Sequence, residues 1–314
     1  MIPVDALRIL HLSDTHLLGG GGRHSGVVDT VSAYAGALAR FDAIGPLDLV
    51  VVSGDVSDDG SESSYRTVRG LTEAFAGRHG AVAVYAMGNH DEPEGFRAVL
   101  GCGHPERAQP YASGGSPGAI AGISVVRGWR VVTLDSSVPG RTHGHLDAAQ
   151  LDWLRAMLAV DAPHGTVVVV HHPPVPPATP LHQGIGLLNP GALAAALAGT
   201  DAAVVLSGHY HHHLVDSFDA GGRQVPVVVA AGIVNHNDLL APPGHERAAD
   251  GGGAVLLELH PLAPAVRGGA RLRILPVPPP PGPAHFDLSP DAVADIAARI
   301  AATPAERAAA VHSP

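Results

Sequence analysis

Leu49-Val50-Val51-Val52-Ser53-Gly54-Asp55-Val56-Ser57-Asp58 is an apolar run that stops abruptly on a carboxylate. The run reads as a buried strand, and a carboxylate just past its end is held rigid at the edge of a sheet. Open α/β sheets place their ligand sites there, beyond the carboxyl ends of strands, where short loops converge on one crevice. Four other stretches end the same way. Asp14 and His16 follow Leu7 to Leu12; Asn89 and His90 follow Val82 to Met87; His171 follows Val167 to Val170; His209 and His211 follow Val204 to Leu206.

Between these ends the chain alternates. A glycine cluster at Gly19 to Gly22 precedes a helical pattern from about Val27 to Phe41, closed by Gly45-Pro46, and a second helix runs from about Ser61 to Arg78. Strand, helix, strand with a turn at each change is the rhythm of crossover units in a mostly parallel sheet. The middle departs from it, because Ile123 to Val126 and Arg130 to Leu134 flank Gly128-Trp129 as a hairpin would. Asp147-Ala148-Ala149-Gln150 resembles a capping box for a helix to about Ala159. A proline-rich stretch from Pro173 to Pro190 is expected to wall the substrate pocket. Strands at Val225 to Ala230, Ala254 to Glu258 and Arg271 to Leu275 suggest a second antiparallel layer, so that two stacked sheets are flanked by helices. Residues 1–275 are expected to form the catalytic domain, and 276–314 a proline-rich linker and a separable helix from Ser289-Pro290 to about Ala302.

The chain of 314 residues is 46% hydrophobic and only 15% charged, a globular composition. Its formal charge of −10, with no basic cluster, disfavours long nucleic acid as a partner. Cys102 is the only cysteine and excludes an intramolecular disulfide. The first strand begins at about Leu7, leaving no room for a signal peptide, and no run approaches the ~18 apolar residues of a membrane span. A soluble cytoplasmic protein is the expectation.

Asp, Asn and His together supply oxygen and nitrogen ligands suited to Mn, Fe, Zn or Co rather than Ca. Two ions need about eight ligand positions. Seven side chains fill them if Asp55 bridges: Asp14, His16, Asp55 and His211 around one ion, and Asp55, Asn89, His171 and His209 around the other. Asp14-Thr15-His16 and His209-Tyr210-His211 each separate their ligands by two, so each pair points one way from an extended segment. Taken singly, each piece is compatible with an ordinary turn, and His104, His143, His164, His260 and His312 are expected to face solvent. Five pieces, each at a strand end, are not absorbed that way.

Asp14-x-His16, Gly54-Asp55-x-x-Asp58, Gly88-Asn89-His90-Asp91, His171-His172-Pro173 and Gly208-His209-x-His211 resemble the five blocks of the calcineurin-like metallophosphoesterases. Leu12-Ser13-Asp14-Thr15-His16, Leu134-Asp135-Ser136-Ser137-Val138-Pro139-Gly140 and Gln150-Leu151-x-Trp153-Leu154 further resemble the bacterial class III cyclic-nucleotide phosphodiesterases. The resemblance implies a four-layer α/β/β/α sandwich, a two-metal centre often holding Fe with Mn or Zn, and frequent dimers. It separates the chain from purple acid phosphatases, which carry Tyr where Asp58 stands and lack the Asp14-x-His16 pair. The proline-rich wall, His212-His213 and Asn235-His236-Asn237-Asp238 depart from the pattern.

A phosphodiester demands charge neutralisation and a hydroxide at neutral pH, which two ions about 3.5–4 Å apart supply by bridging a water. Asn89, His90 and His211 form the substrate-facing set. His90 adjoins a ligand without being assigned as one, so its imidazole is free to protonate the leaving alkoxide, a contribution typically worth about 10²–10⁴-fold. Asp58 is expected to orient it, with Asp91 as the competing partner. The favoured substrate is a 3′,5′-cyclic nucleotide, cAMP first. A broader phosphodiesterase acting on glycerophosphodiesters or 2′,3′-cyclic nucleotides shares the centre, and a non-catalytic metal-binding scaffold is the reading from another class.

Overall fold

The computed structural model of the chain describes residues 6–106, 108–111, 118–262, 267–301, 303, 305–307 and 309. Strand Leu7–Leu12 runs parallel to Leu49–Val52 on one side and antiparallel to Ala254–Pro261 on the other. Val82–Tyr85 adds a parallel strand and Ala270–Val277 an antiparallel one, completing a five-stranded sheet. In the second sheet Gln224–Val229, Ala202–Ser207, Gly165–Val170 and Trp129–Leu134 are mutually parallel. Leu214–Asp219 closes one edge, and Gly122–Val126 followed by Gln109–Pro110 the other, all antiparallel.

The valine runs explain the stacking, because alternate residues of a strand face opposite sides. Leu49, Val51, Val167, Val169, Val204 and Leu206 fill a core between the sheets with Trp129 and Leu257. Val50 and Val52 point outward to Tyr34, Phe41, Phe75 and Phe96 on the helices Thr30–Phe41, Glu62–His79 and Pro93–Leu100. Val168 and Val170 point the other way, to Leu151, Leu154 and Leu158 of Ala148–Leu158 and Leu193 and Leu197 of Pro190–Leu197. Three apolar layers thus separate helix, sheet, sheet and helix, the α/β/β/α sandwich.

Several expectations need correction. The first helix starts at Thr30, after a small hairpin of Arg23–His24 with Val28–Asp29. The middle hairpin turns at Arg127-Gly128, both with positive φ, which leaves Trp129 buried in its strand. Asp147 does cap its helix by accepting from Gln150 N at 2.7 Å, but the Gln150 side chain turns away to the backbone of Asp135. His104 is half-buried, its two ring nitrogens partnered by the Ser124 and Thr133 hydroxyls in place of water, whereas His143 and His260 are buried although Nδ1 of the first and both ring nitrogens of the second have no hydrogen-bond partner among the described residues. His312 and Ala302 lie outside the described residues.

The C-terminal segment runs back over this framework. Ala284–Leu288 pairs with Glu246–Ala249, which pairs with His236–Asn237. Helix Pro290–Ile300, capped by Ser289, buries Val293 and ends against the 3-10 turn Leu181–Gly184, with the Thr142 hydroxyl donating to Ile300 O at 2.9 Å. Among the described residues no helix is long and apolar enough to cross a membrane.

Candidate metal centre

The five strand ends meet at one crevice, and the backbone is bent to bring them there. Asp14, His16, Asp55, His209 and His211 all have positive φ, a conformation that costs non-glycine residues energy and is concentrated at functional sites. Hydrogen bonds hold the bends: Asp14 N donates to Gly54 O, His16 N to Asp55 O, and His209 N to both oxygens of Asp14. The motif glycines are there for room. A Cβ on Gly54 would lie 2.6 Å from His171 Cγ, one on Gly88 2.9 Å from Asp55 Cγ, and one on Gly208 2.7 Å from Asp14 Oδ2.

The side chains converge in two groups that share no residue, Asp14 with His16 and His211, and Asp55 with His171 and His209, overlapped by two more, His16 with Asp55 and His90, and His16 with His24 and Asp58. Asp55 Oδ2 lies 3.5 Å from His16 Nε2 and 3.3 Å from His171 Nε2, between the groups. Asp14 Oδ1 stands 3.3 Å from His211 Nε2. Asn89 is half-buried, and its Oδ1 has no hydrogen-bond partner among the described residues.

Each imidazole is anchored from behind. His16 Nδ1 donates to Asp58, His171 Nδ1 to Ser53 O, His211 Nδ1 to Asn235 Oδ1, and His209 Nε2 to Ile185 O, at 2.8 to 3.0 Å. Such outward bonds fix the tautomer and turn the lone pair of the second nitrogen inward, as metal-binding histidines require. The donor set therefore fits cations. His16 Nε2 and His211 Nε2 face each other at 3.3 Å, and two lone pairs at that distance repel unless a proton or an ion lies between them. His171 Nε2 is likewise buried, facing Asp55 Oδ2 at 3.3 Å with no well-formed hydrogen bond among the described residues.

The electrostatics follow from burial and these two carboxylates. Burial drives His16 down to about 4 and His209 well below the usual histidine range, so both are neutral. Burial works against ionising Asp14, yet the facing His211 outweighs it and the carboxyl falls to about 2. His171 goes the other way, to about 9, because Asp55 overcomes its burial; the proton held there occupies the position a cation would take.

On the open side, Asp58 Oδ1 lies 3.0 Å from both His16 Nδ1 and His90 Nδ1, and Asp58 Oδ2 lies 3.2 Å from His24 Nδ1. The His90 side chain is 41% exposed, and its pKa is pushed up to about 9 as Asp55 and Asp58 overcome burial. Asp91, the alternative partner, has its oxygens taken by Val56 N, Ser57 N, Gly88 N and the Tyr65 hydroxyl. It ties the two loops together.

Sequence reading missed several supports. Asn235 orients His211, and His172, held by Ser136 Oγ and Thr142 O, packs its ring 4.4 Å from that of His209. The proline-rich wall contributes Ile185 O to the site, but the cavity of about 360 Å³ beside Pro173 to Pro177 is lined by none of the seven converging residues, so the expected wall of a substrate pocket is not found there. A larger cavity of about 1360 Å³ lies between Val82–Tyr85 and Gln109–Pro110, and none of the seven converging residues lines it.

Residues 7–213 match the model of the family described as calcineurin-like phosphoesterase. The chain is 36% identical over 255 residues to a cAMP/cGMP dual specificity phosphodiesterase of Mycobacterium tuberculosis, covering 81% of this chain and 76% of that protein. It is 30% identical over 226 residues to a 3′,5′-cyclic adenosine monophosphate phosphodiesterase of Escherichia coli K12, covering 70% and 74%. Among solved structures, a purple acid phosphatase from yellow lupin seeds superposes with a TM-score of 0.53 at 13% identity, over 81% of this chain and 49% of that one, a likeness of fold alone. Since the family model spans well over half of the chain and takes in every one of the five strand ends, the chain belongs to the calcineurin-like phosphoesterases and is a hydrolase of that family.

Proposed function

We propose that the chain is a dinuclear-metal-dependent phosphodiesterase that hydrolyses 3′,5′-cyclic nucleotides, with cAMP as the favoured substrate. The observation that carries this reading is the inward convergence of four imidazoles, each anchored from behind, on Asp14 and Asp55. Asp14, His16, Asp55 and His211 would hold one ion, and Asp55, Asn89, His171 and His209 the other. Mixed oxygen and nitrogen donors suit Mn, Fe, Zn or Co, and the family resemblance favours Fe paired with Mn or Zn among them. Such a pair supplies Lewis-acid charge neutralisation and a nucleophile derived from water.

The remaining work falls to the chain. Asn89, His90 and His211 line the side on which a phosphoryl group would lie. His90 gives Nδ1 to Asp58, which leaves Nε2 to deliver a proton to the ribose oxygen as its bond to phosphorus breaks. Asp58, 3.0 Å from Nδ1 and not assigned to either ion, favours the protonated form of the ring. The two relatives named above are phosphodiesterases of cyclic nucleotides, which supports the choice among diesters. The chemistry would reside in residues 1–275, with the strand Ala284–Leu288 and the helix Pro290–Ile300 packed on them, and the net charge and single cysteine suit a cytoplasmic setting.

A substrate panel with purified, Mn-reconstituted protein tests the reading. Cyclic 3′,5′-nucleotides should give the highest kcat/KM. A preference for glycerophosphodiesters or 2′,3′-cyclic nucleotides would move the function to the broader phosphodiesterase.

A further inference from the structure

The glycine-rich segment after His16 carries a residue that none of the family blocks contains. His24 sits on the hairpin of Arg23–His24 with Val28–Asp29, whose turn closes with Val27 N donating to His24 O at 3.0 Å. Both central residues, Ser25 and Gly26, have positive φ. A left-handed serine is a conformation the chain adopts at a cost, so the hairpin has to be held in place. It is held at both ends: Gly19 N donates to Asp59 Oδ2 at 2.7 Å, and Asp29 caps helix Thr30–Phe41 by accepting from Ser32 N and Ser32 Oγ. What this delivers is the His24 ring, 4.9 Å from that of His16, with Nδ1 3.2 Å from Asp58 Oδ2.

We propose that His24 is a positioning residue of the hydrolytic site, donating Nδ1–H to Asp58 Oδ2 and so fixing the carboxylate plane that aims His90. The geometry leaves Asp58 little choice. Its Oδ1 serves His16 and His90 together at 3.0 Å, an arrangement that survives only if the carboxylate does not rotate. The other oxygen supplies the brake, and His24 is its partner. His16 is buried and packs its ring against those of His24, His90 and His211, whereas His90 is 41% exposed and has, besides its edge-on contact with the His16 ring, Asp58 as its ring's anchor. Loosening Asp58 therefore falls on His90 first.

The inference rests on the leaving-group role given to His90, and its test separates the two. Rates are measured across aryl phosphodiesters from p-nitrophenyl to unsubstituted phenyl, whose leaving groups need increasing help from an acid. His24→Ala should leave the p-nitrophenyl ester nearly unchanged and slow the phenyl ester about tenfold, the scale of one hydrogen bond to a charged group. Metal content and KM should stay as in the wild type. His24→Gln, which keeps an N–H donor, should recover most of the loss. An independent readout is the imidazole ¹H–¹⁵N spectrum of the Zn²⁺-loaded protein, with the His90 signal assigned by its absence in His90→Ala. The His90 Nδ1 proton should be protected from solvent exchange in the wild type and exposed in His24→Ala.

Equal loss on every ester, loss of metal, or an unchanged His90 Nδ1 proton would overturn the proposal, and the spectrum decides even for a protein inactive on these esters. If cyclic nucleotides are not cleaved while the pattern holds, the substrate reading falls and the role of His24 stands.

Discussion

Gly88→Ala is the smallest change that tests how tightly the bridging carboxylate is built in. A Cβ at this position would come within 3.0 Å of three heavy atoms of Asp55, Oδ1, the backbone N and Cγ, the last at 2.9 Å. Ordinary contact begins near 3.4 Å, and the obstacle is partly backbone, so rotation of a side chain does not relieve it. Overpacking of this kind costs about 1–3 kcal/mol in stability. Asp55 can retreat only by leaving the point between His16 Nε2 and His171 Nε2, and a displacement of about 1 Å at a reacting site costs on the order of 10²-fold in rate. The assay is kcat on a phosphodiester together with metal content and the urea midpoint. Gly70→Ala is the matched control, on an exposed turn of helix Glu62–His79 with no described atom within 4 Å. It should stabilise by about 0.5–1 kcal/mol and leave activity alone. Wild-type metal content and kcat in Gly88→Ala would refute the reasoning.

His90→Ala should keep both ions and lose most activity on cAMP, but much less on bis(p-nitrophenyl) phosphate; Asp58→Asn should behave as a milder form, and loss of metal in His90→Ala would make it a ligand. Asp91→Ala strips a partner from three backbone N–H groups and the Tyr65 hydroxyl, and at about 1–3 kcal/mol for each buried group left unpaired it should lower stability by several kcal/mol, read from denaturant unfolding. A chain ending at Val277, the last residue of its strand, should keep its ions and its turnover while melting earlier, because Glu246–Ala249 loses its partner strand; a folded, metal-loaded and inactive truncation would mean that the tail builds the site.

The sheet-forming valine runs and the strand ends were legible because each is a local pattern: Val50 and Val51 need no partner to announce a strand buried on both faces, and Gly54-Asp55 marks where it stops. Helices Pro93–Leu100 and Pro190–Leu197 were not, since eight residues make barely two turns and the second begins inside a proline-rich stretch. Within the site, side chains at strand ends could be named from their types. Their anchors could not, because Ser53 O and Ile185 O are backbone atoms that every residue possesses. Asn235 and His24 reach the centre from a loop and a two-residue hairpin strand whose paths depend on the finished fold. His104, His143 and His260 went the other way, polar residues assigned to water that tertiary contacts draw inward.

The most direct measurement is the metal stoichiometry of the wild type and Asp55→Ala by elemental analysis after dialysis from saturating Mn²⁺, with turnover followed on the same samples. Asp55 Oδ2 stands between His16 and His171, so the wild type should retain two ions per chain and the variant should lose occupancy at both positions together with its activity. A wild type that saturates at one ion, or an Asp55→Ala protein that keeps two tightly held ions, would contradict the bridged two-metal centre.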